Sequence, residues 1–271
     1  MRRLCIGDIH GCYDKLQKVL DISKFSNTDI LYSVGDLTDR GNQNVEVLNF
    51  CKSLPNFKPV VGNHDFWNYQ YLRACCNIKP IDADAFNCWT LRNGGESTYN
   101  EEYEQSLEWK REMYGWIKSF PYRINLGDKI IQHTVCPQKY YNGVDVDTIT
   151  TETLISSGLV LDEIYDSAIW NREVLRGCKD FTLFGYNRPN FMLLFKEIYE
   201  KEYKGTPTYF IGHTPLDKPF YDKHLGIVGI DTGSFCTEEK YGKEGVLTIV
   251  NIDTFEYWQD NGNYGIINLN R

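Results

Sequence analysis

"LCIGDIHGCYDKL", Leu4 to Leu16, decides how this chain is read. A short apolar run, Leu4 to Ile6, meets Gly7. An aspartate and a histidine follow two residues apart, Asp8 and His10, and Gly11 then leads into Tyr13 to Phe25, where Leu16, Val19, Leu20 and Ile22 recur close to helical spacing. Strand, polar turn, helix is the predicted order. It returns twice, as a strand over Asp29 to Val34, a turn at Asp36 and a helix over Asn44 to Cys51, then as a strand over Phe57 to Val61, a turn at Asn63 and His64, and a helix over Phe66 to Cys75. Successive βαβ units predict a parallel sheet for this part of the chain.

Further on, Lys129 to Val135, Thr208 to Ile211, Leu225 to Ile230, Val246 to Ile252 and Phe255 to Trp258 read as strands. A helix is predicted from Asn100 to just before Pro121, with Tyr103, Leu107, Met113, Tyr114 and Ile117 as its buried stripe. Another is predicted over Asn190 to Lys204. Packing accounts for both stripes better than ligand binding does. The predicted fold class is mixed α/β (α+β), two packed sheets flanked by helices, in one domain over residues 1–271.

Composition narrows the function. A net charge of -8 argues against nucleic acid as a bulk partner. No secretory apolar segment and no run of eighteen apolar residues occur, so a cytoplasmic protein with no membrane partner is expected. Nine cysteines, an odd and scattered set without a CxxC pair, predict reduced thiols rather than a disulfide framework.

Asp, Asn or His stands at the end of one predicted strand after another: Asp8 and His10, Asp36, Asn63 and His64, His133, His213. Four of the five histidines fall in this set. Loops beyond the carboxyl ends of strands in an open α/β sheet converge, so these residues can meet in one cleft. Oxygen and imidazole donors without thiolate suit manganese, iron or zinc.

"GDIHG" (Gly7 to Gly11), "GDLTDRG" (Gly35 to Gly41) and "GNHD" (Gly62 to Asp65) together resemble the three signatures of the PPP-type, calcineurin-like metallophosphoesterases. The likeness continues through "NGG" (Asn93 to Gly95), "IQHT" (Ile131 to Thr134), "WNRE" (Trp170 to Glu173), "GHTP" (Gly212 to Pro215) and "IDTGSF" (Ile230 to Phe235). In these blocks it is most similar to bacteriophage lambda protein phosphatase and its bacterial relatives, while "GDIHGCYDKL" and "GNHD" also suit diadenosine tetraphosphatases.

The resemblance implies two divalent metal ions, manganese by expectation with iron or zinc as alternatives. Asp8 and His10 would hold one, Asn63, His133 and His213 the other, and Asp36 would bridge them. Two cations so placed lower the pKa of a bridging water, which attacks the phosphoester directly. His64 would act as general acid, oriented by Asp39, while Arg40, Arg172 and Asn63 would bind the phosphate. Taken singly, each aspartate reads as a turn or cap residue, His133 as a sheet histidine and each arginine as a surface cation. Their joint occurrence reverses that. His224 and the pair Cys75 and Cys76 receive no role.

One departure is Thr134 and Val135 after His133, where the family usually has a small residue. Another is an insertion between Glu173 and Thr206. The expected activity is hydrolysis of phosphoserine or phosphothreonine in a phosphorylated protein or peptide. The rivals are a bis(5'-nucleosyl)-tetraphosphatase or other small phosphoester hydrolase, a nucleic-acid end phosphatase and, from another class, a non-catalytic scaffold.

Overall fold

The computed structural model describes residues 1–135, 143–160, 168–171 and 207–269. Strands β1 (Arg3–Ile6), β2 (Ile30–Ser33) and β3 (Phe57–Pro59) run parallel, separated by helices α1 (Tyr13–Ile22) and α2 (Asn44–Ser53), as the repeated strand, turn and helix pattern predicts. Across β1, antiparallel strands β9 (Thr248–Asn251), β10 (Glu256–Gln259) and β11 (Tyr264–Ile266) complete a six-stranded sheet ordered β11-β10-β9-β1-β2-β3. The second sheet has five strands ordered β4-β5-β6-β8-β7, namely β4 (Arg123–Asn125), β5 (Lys129–Gln132), β6 (Thr208–Ile211), β7 (Phe220–Asp222) and β8 (Ile227–Gly229). Its centre, β5, β6 and β8, is parallel.

The two-sheet α/β architecture is the expected one. Side-chain alternation shows how it is held: Leu4 and Ile6 belong to the cluster that includes α1 and α2, while Cys5 between them packs with Tyr32, Ile131, Phe210 and Val228 of the other strands. Successive residues of a strand face opposite ways, and β1 is buried on both faces, which explains its unbroken apolar run. The layer joining the sheets therefore comes from every second residue of the central strands.

Helical boundaries differ in two places. The segment expected as one helix from Asn100 to Pro121 is two helices, α5 (Glu96–Tyr103) and α6 (Leu107–Ile117). Ser106 ends the first run by capping the second, its Oγ accepting the Trp109 amide at 3.1 Å. Met113 and Ile117 are buried as expected, whereas Tyr103 and Leu107, at the break, are 63% and 42% exposed. The third helix, α3 (Asn63–Cys75), starts at Asn63 rather than Phe66, so Asn63 and His64 lie in its first turn. A short helix α4 (Ala83–Asn87) and a π-helical turn over Cys88–Arg92 connect α3 to α5, and α7 (Glu238–Tyr241) precedes β9. His224 is exposed, in the turn after β7, and Cys75 and Cys76 are half-buried free thiols. The helix predicted over Asn190 to Lys204 lies outside the described residues.

Candidate metal centre

Both sheets point the carboxyl ends of their parallel strands at one cleft. Asp8 and His10 follow β1, Asp36 follows β2, Asn63 and His64 open α3 after β3, His133 follows β5 and His213 follows β6. All seven are 5% exposed or less. The Oδ2 atom of Asp36 is the hub, 3.7 Å from His10 Nε2, 4.0 Å from His64 Nε2 and 3.4 Å from His133 Nε2. His133 Nε2 in turn lies 3.0 Å from Asn63 Oδ1 and 3.2 Å from His213 Nδ1. Asp8 Oδ2 is 4.0 Å from His10 Nε2. Two donor groups result, His10 with Asp36 and His64, and Asp36 with His133 and His213, each with its atoms within 4.8 Å of one another. Asp36 belongs to both.

The hydrogen bonds set the tautomers. His10 Nδ1 donates to the Thr38 carbonyl (2.8 Å), His133 Nδ1 to the Val34 carbonyl (2.7 Å) and His213 Nε2 to the Trp170 carbonyl (3.2 Å). Each ring keeps its bare nitrogen for the cluster, which is how metal-binding histidines are held. Acceptor atoms of imidazole, amide and carboxylate thus crowd one another in the cleft, and a cation among them would relieve that repulsion. Asp8 Oδ1 and Asn63 Nδ2, moreover, are buried without a hydrogen-bond partner. An all oxygen and imidazole set of this kind fits hard or borderline divalent cations, with Asp36 placed to be shared by two of them.

Titration behaviour agrees. Burial, then the charges of Asp231 and Asp36, pushes the Asp8 carboxyl well above the usual range, so a cation bound there replaces a proton. Burial also opposes ionisation of Asp36, but His133 and His64 outweigh it and hold this carboxyl well below the ordinary value. For His10, burial and the Arg40 charge keep the imidazole neutral, well below its ordinary pKa. His133 moves up instead, because the Asp36 carboxylate outweighs its burial.

Strain marks the same residues. His10 (φ 49°), Asp36 (54°), Asp39 (77°), Arg40 (70°) and His213 (72°) all adopt left-handed backbone, which costs a non-glycine residue about 1 kcal/mol or more. Buried hydrogen bonds hold them there. The Asp65 carboxylate accepts the amides of Asp36 (2.8 Å), Leu37 (3.0 Å) and Gly62 (2.8 Å), fastening the β2 turn to the start of α3. Asp8 Oδ2 accepts the His213 amide at 2.9 Å, joining the two sheets. That bond needs Gly212, since a Cβ there would lie 2.0 Å from Asp8 Oδ1.

In sequence Asp65 shows only as the last residue of "GNHD", although an acid three residues after a helix cap is a recognisable signal. Asp65→Ala leaves three buried amides without an acceptor. It is expected to destabilise the fold by roughly 3 kcal/mol or more and to lower the melting temperature by about 6 °C or more, measured by thermal unfolding.

Around the hub, His64 Nδ1 donates to Asp39 Oδ2 at 2.5 Å. Arg40 forks towards the cluster, reaching His10 Nε2 and His64 Nε2 at 2.9 Å each, and its guanidinium lies 4.3 Å from the centre of the Phe235 ring. A cavity of about 650 Å³ opens beside it, lined among others by Arg92, His213, Phe235, Lys240 and Tyr241. Arg172 lies outside the described residues. Near it in the chain, Trp170 meets Trp67 edge-to-face at 4.8 Å and accepts from His213, while the Thr134 hydroxyl donates to the Ala168 carbonyl. The unexpected threonine after His133 therefore ties the end of β5 to the segment that orients His213.

A two-sheet α/β fold with polar groups at its strand ends sharing one carboxylate defines a metallophosphoesterase. This chain belongs to the calcineurin-like phosphoesterase family, whose model matches residues 1–240. The family uses divalent metals in a binuclear centre. Serine/threonine-protein phosphatase 2 of Salmonella typhimurium is 29% identical over 238 residues, 86% of this chain and 87% of that protein. The symmetrical bis(5'-nucleosyl)-tetraphosphatase of Pasteurella multocida is 49% identical over 114 residues, 41% of this chain and 38% of that protein. Among solved structures, a cold-active protein-tyrosine phosphatase of a Shewanella species shares the fold with a TM-score of 0.62 at 16% identity, over 98% of this chain and 80% of that one. A serine/threonine phosphatase of Saccharomyces cerevisiae gives 0.57 at 15% identity, over 93% and 73%.

Proposed function

We propose that this metallophosphoesterase is a serine/threonine protein phosphatase. The observation that carries the hydrolytic reading is the Asp36 carboxylate, common to both donor groups, with the Arg40 guanidinium reaching His10 and His64 of the same cluster at the edge of an open cleft. Asp8 and His10 would hold one divalent ion and Asn63, His133 and His213 the other, with manganese expected and iron or zinc as alternatives. Bound there, two such ions supply Lewis acidity towards phosphoryl oxygens and a water activated near neutral pH. Arg40 offers paired N–H groups to the phosphate, with Arg172 expected to assist. His64, steadied by Asp39, presents Nε2 for the proton that the leaving oxygen needs. The thiols near the cleft are poor alternatives to water as nucleophile, because burial pushes Cys12 up to about 11 and Cys236 up to about 12.

The choice of a phosphoprotein substrate is supported by the extent of likeness to serine/threonine-protein phosphatase 2, which runs through most of both chains. A second reading, hydrolysis of a dinucleoside tetraphosphate, is favoured by the higher identity to the tetraphosphatase over a shorter stretch. Aromatic faces at Phe235 and Tyr241 beside Arg92 and Lys240 would also accept a base and its phosphates. Assaying a phosphoserine peptide, diadenosine tetraphosphate and a 3′-phosphorylated oligonucleotide side by side decides between them. The peptide is expected to be preferred, and a preference of about a hundredfold or more in kcat/KM for either nucleotide overturns the proposal. Seven free cysteines among the described residues suit the cytoplasm. No helix among the described residues is long and apolar enough to cross a membrane.

A further inference from the structure

Asp39 is more heavily held than its contact with His64 requires. It is fully buried, and its Oδ2 accepts two donors, His64 Nδ1 at 2.5 Å and Trp89 Nε1 at 2.7 Å. Its Oδ1 accepts the Thr98 hydroxyl at 2.5 Å. The Asp39 amide is shared between Asn44 Oδ1 at 2.8 Å and Thr98 Oγ1 at 2.9 Å, so Thr98 grips the main chain and the side chain of one residue whose φ is 77°.

Two local features of the chain build this grip. Trp89 sits on the π-helical turn Cys88–Arg92, a helical irregularity that re-aims side chains and recurs near functional sites. The turn closes when its carbonyl accepts the Gly95 amide at 3.0 Å. Gly95 must be glycine, because a Cβ there would stand 2.2 Å from Trp89 Nε1 and displace the indole. Thr98 then follows on α5, fully buried. Trp89, Gly95 and Thr98 thus form one cradle, and it faces the carboxylate rather than the cleft.

We propose that Trp89 and Thr98 are positioning residues for proton delivery by His64, acting through Asp39. The inference rests on reading His64 as the donor to the leaving oxygen. A carboxylate holding the imidazole alone can rotate about its last torsion and carry the ring with it. Two fixed neutral donors, one on each oxygen, remove that freedom and fix the plane from which His64 Nε2 points towards Arg40. Such a residue touches neither substrate nor metal ligands, so its effect is confined to the step in which a proton reaches the leaving group.

The test compares leaving groups. Trp89→Phe removes the indole N–H together with part of the buried ring, and Thr98→Val replaces only the hydroxyl, with a methyl of similar size, so either carries the test if the other fails to fold. Each is assayed on a phosphoserine peptide, whose alkoxide departs poorly, and on 2,4-dinitrophenyl phosphate, whose phenolate needs no proton. Metal content and the proton NMR signal of His64 Nδ1–H are measured alongside. Expected are a fall in kcat of about tenfold or more on the peptide with KM unchanged, less than about twofold on the aryl ester, unaltered metal content, a shifted Nδ1–H resonance, and recovery in Thr98→Ser. An equal fall on both substrates, or none, in a folded and metal-loaded variant overturns the proposal. If His64→Asn itself fails to discriminate between the two substrates, the reading of His64 is what has failed, and the proposal falls with it.

Discussion

Asp36→Asn is expected to leave the fold standing and to abolish the centre, with metal content falling well below that of the parent and p-nitrophenyl phosphate hydrolysis dropping about a thousandfold or more, some 4 kcal/mol of barrier. The physical reason lies in how the two oxygens are used. Oδ1 accepts the His64 amide at 2.9 Å, a bond that the asparagine carbonyl can keep, so the start of α3 retains its anchor. Oδ2 faces three imidazole nitrogens at 3.4 to 4.0 Å, and there the substitution places an NH2 group with no charge. Among the described residues no other belongs to both donor groups, so none of them replaces the lost carboxylate. Elemental analysis of the purified variant, with thermal unfolding as the control for folding, checks the result. A variant that retains the parent's full metal content would sink the assignment of Asp36 as the bridge.

His64→Asn is expected to behave oppositely: metal content unchanged, turnover lower by about 10² to 10⁴. Distance alone does not separate His64 from the ligands, since its Nε2 lies 4.0 Å from Asp36 Oδ2, the same spacing as His10 Nε2 to Asp8 Oδ2. The other ring nitrogen makes the difference. His10 and His133 rest Nδ1 on backbone carbonyls, whereas His64 rests it on the Asp39 carboxylate, which fixes the ring with Nε2 turned towards Arg40. Loss of an ion in this variant would make His64 a ligand and move the search for the proton donor elsewhere.

The strand, turn and helix order around Asp8, Asp36 and Asn63 could be read in advance because its signals are local. Apolar runs end at glycines, helical spacing begins within a few residues, and the polar groups sit between them. The same locality misled at Asn100 to Pro121. There an apolar stripe continued in phase across Ser106, but the serine hydroxyl offered the backbone a cap and the helix broke. Likewise α3 begins three residues before its apolar spacing does, since its first turn is held by the Asp65 carboxylate and not by packing.

Sequence by itself determined the kinds of donor atom at the strand ends and the class of cation they suit, because side-chain chemistry needs no coordinates. It also determined the α/β class, because alternation between strand and helix is written residue by residue. The motif resemblance named Asp36 as the bridge in advance; only the tertiary structure decided which nitrogen each histidine turns inward, and that Asp65, Trp89 and Thr98 hold the site from behind. Those facts depend on buried hydrogen bonds between residues far apart in the chain, such as Asp8 with His213, 205 positions away, and they form only when both sheets have closed on one cleft.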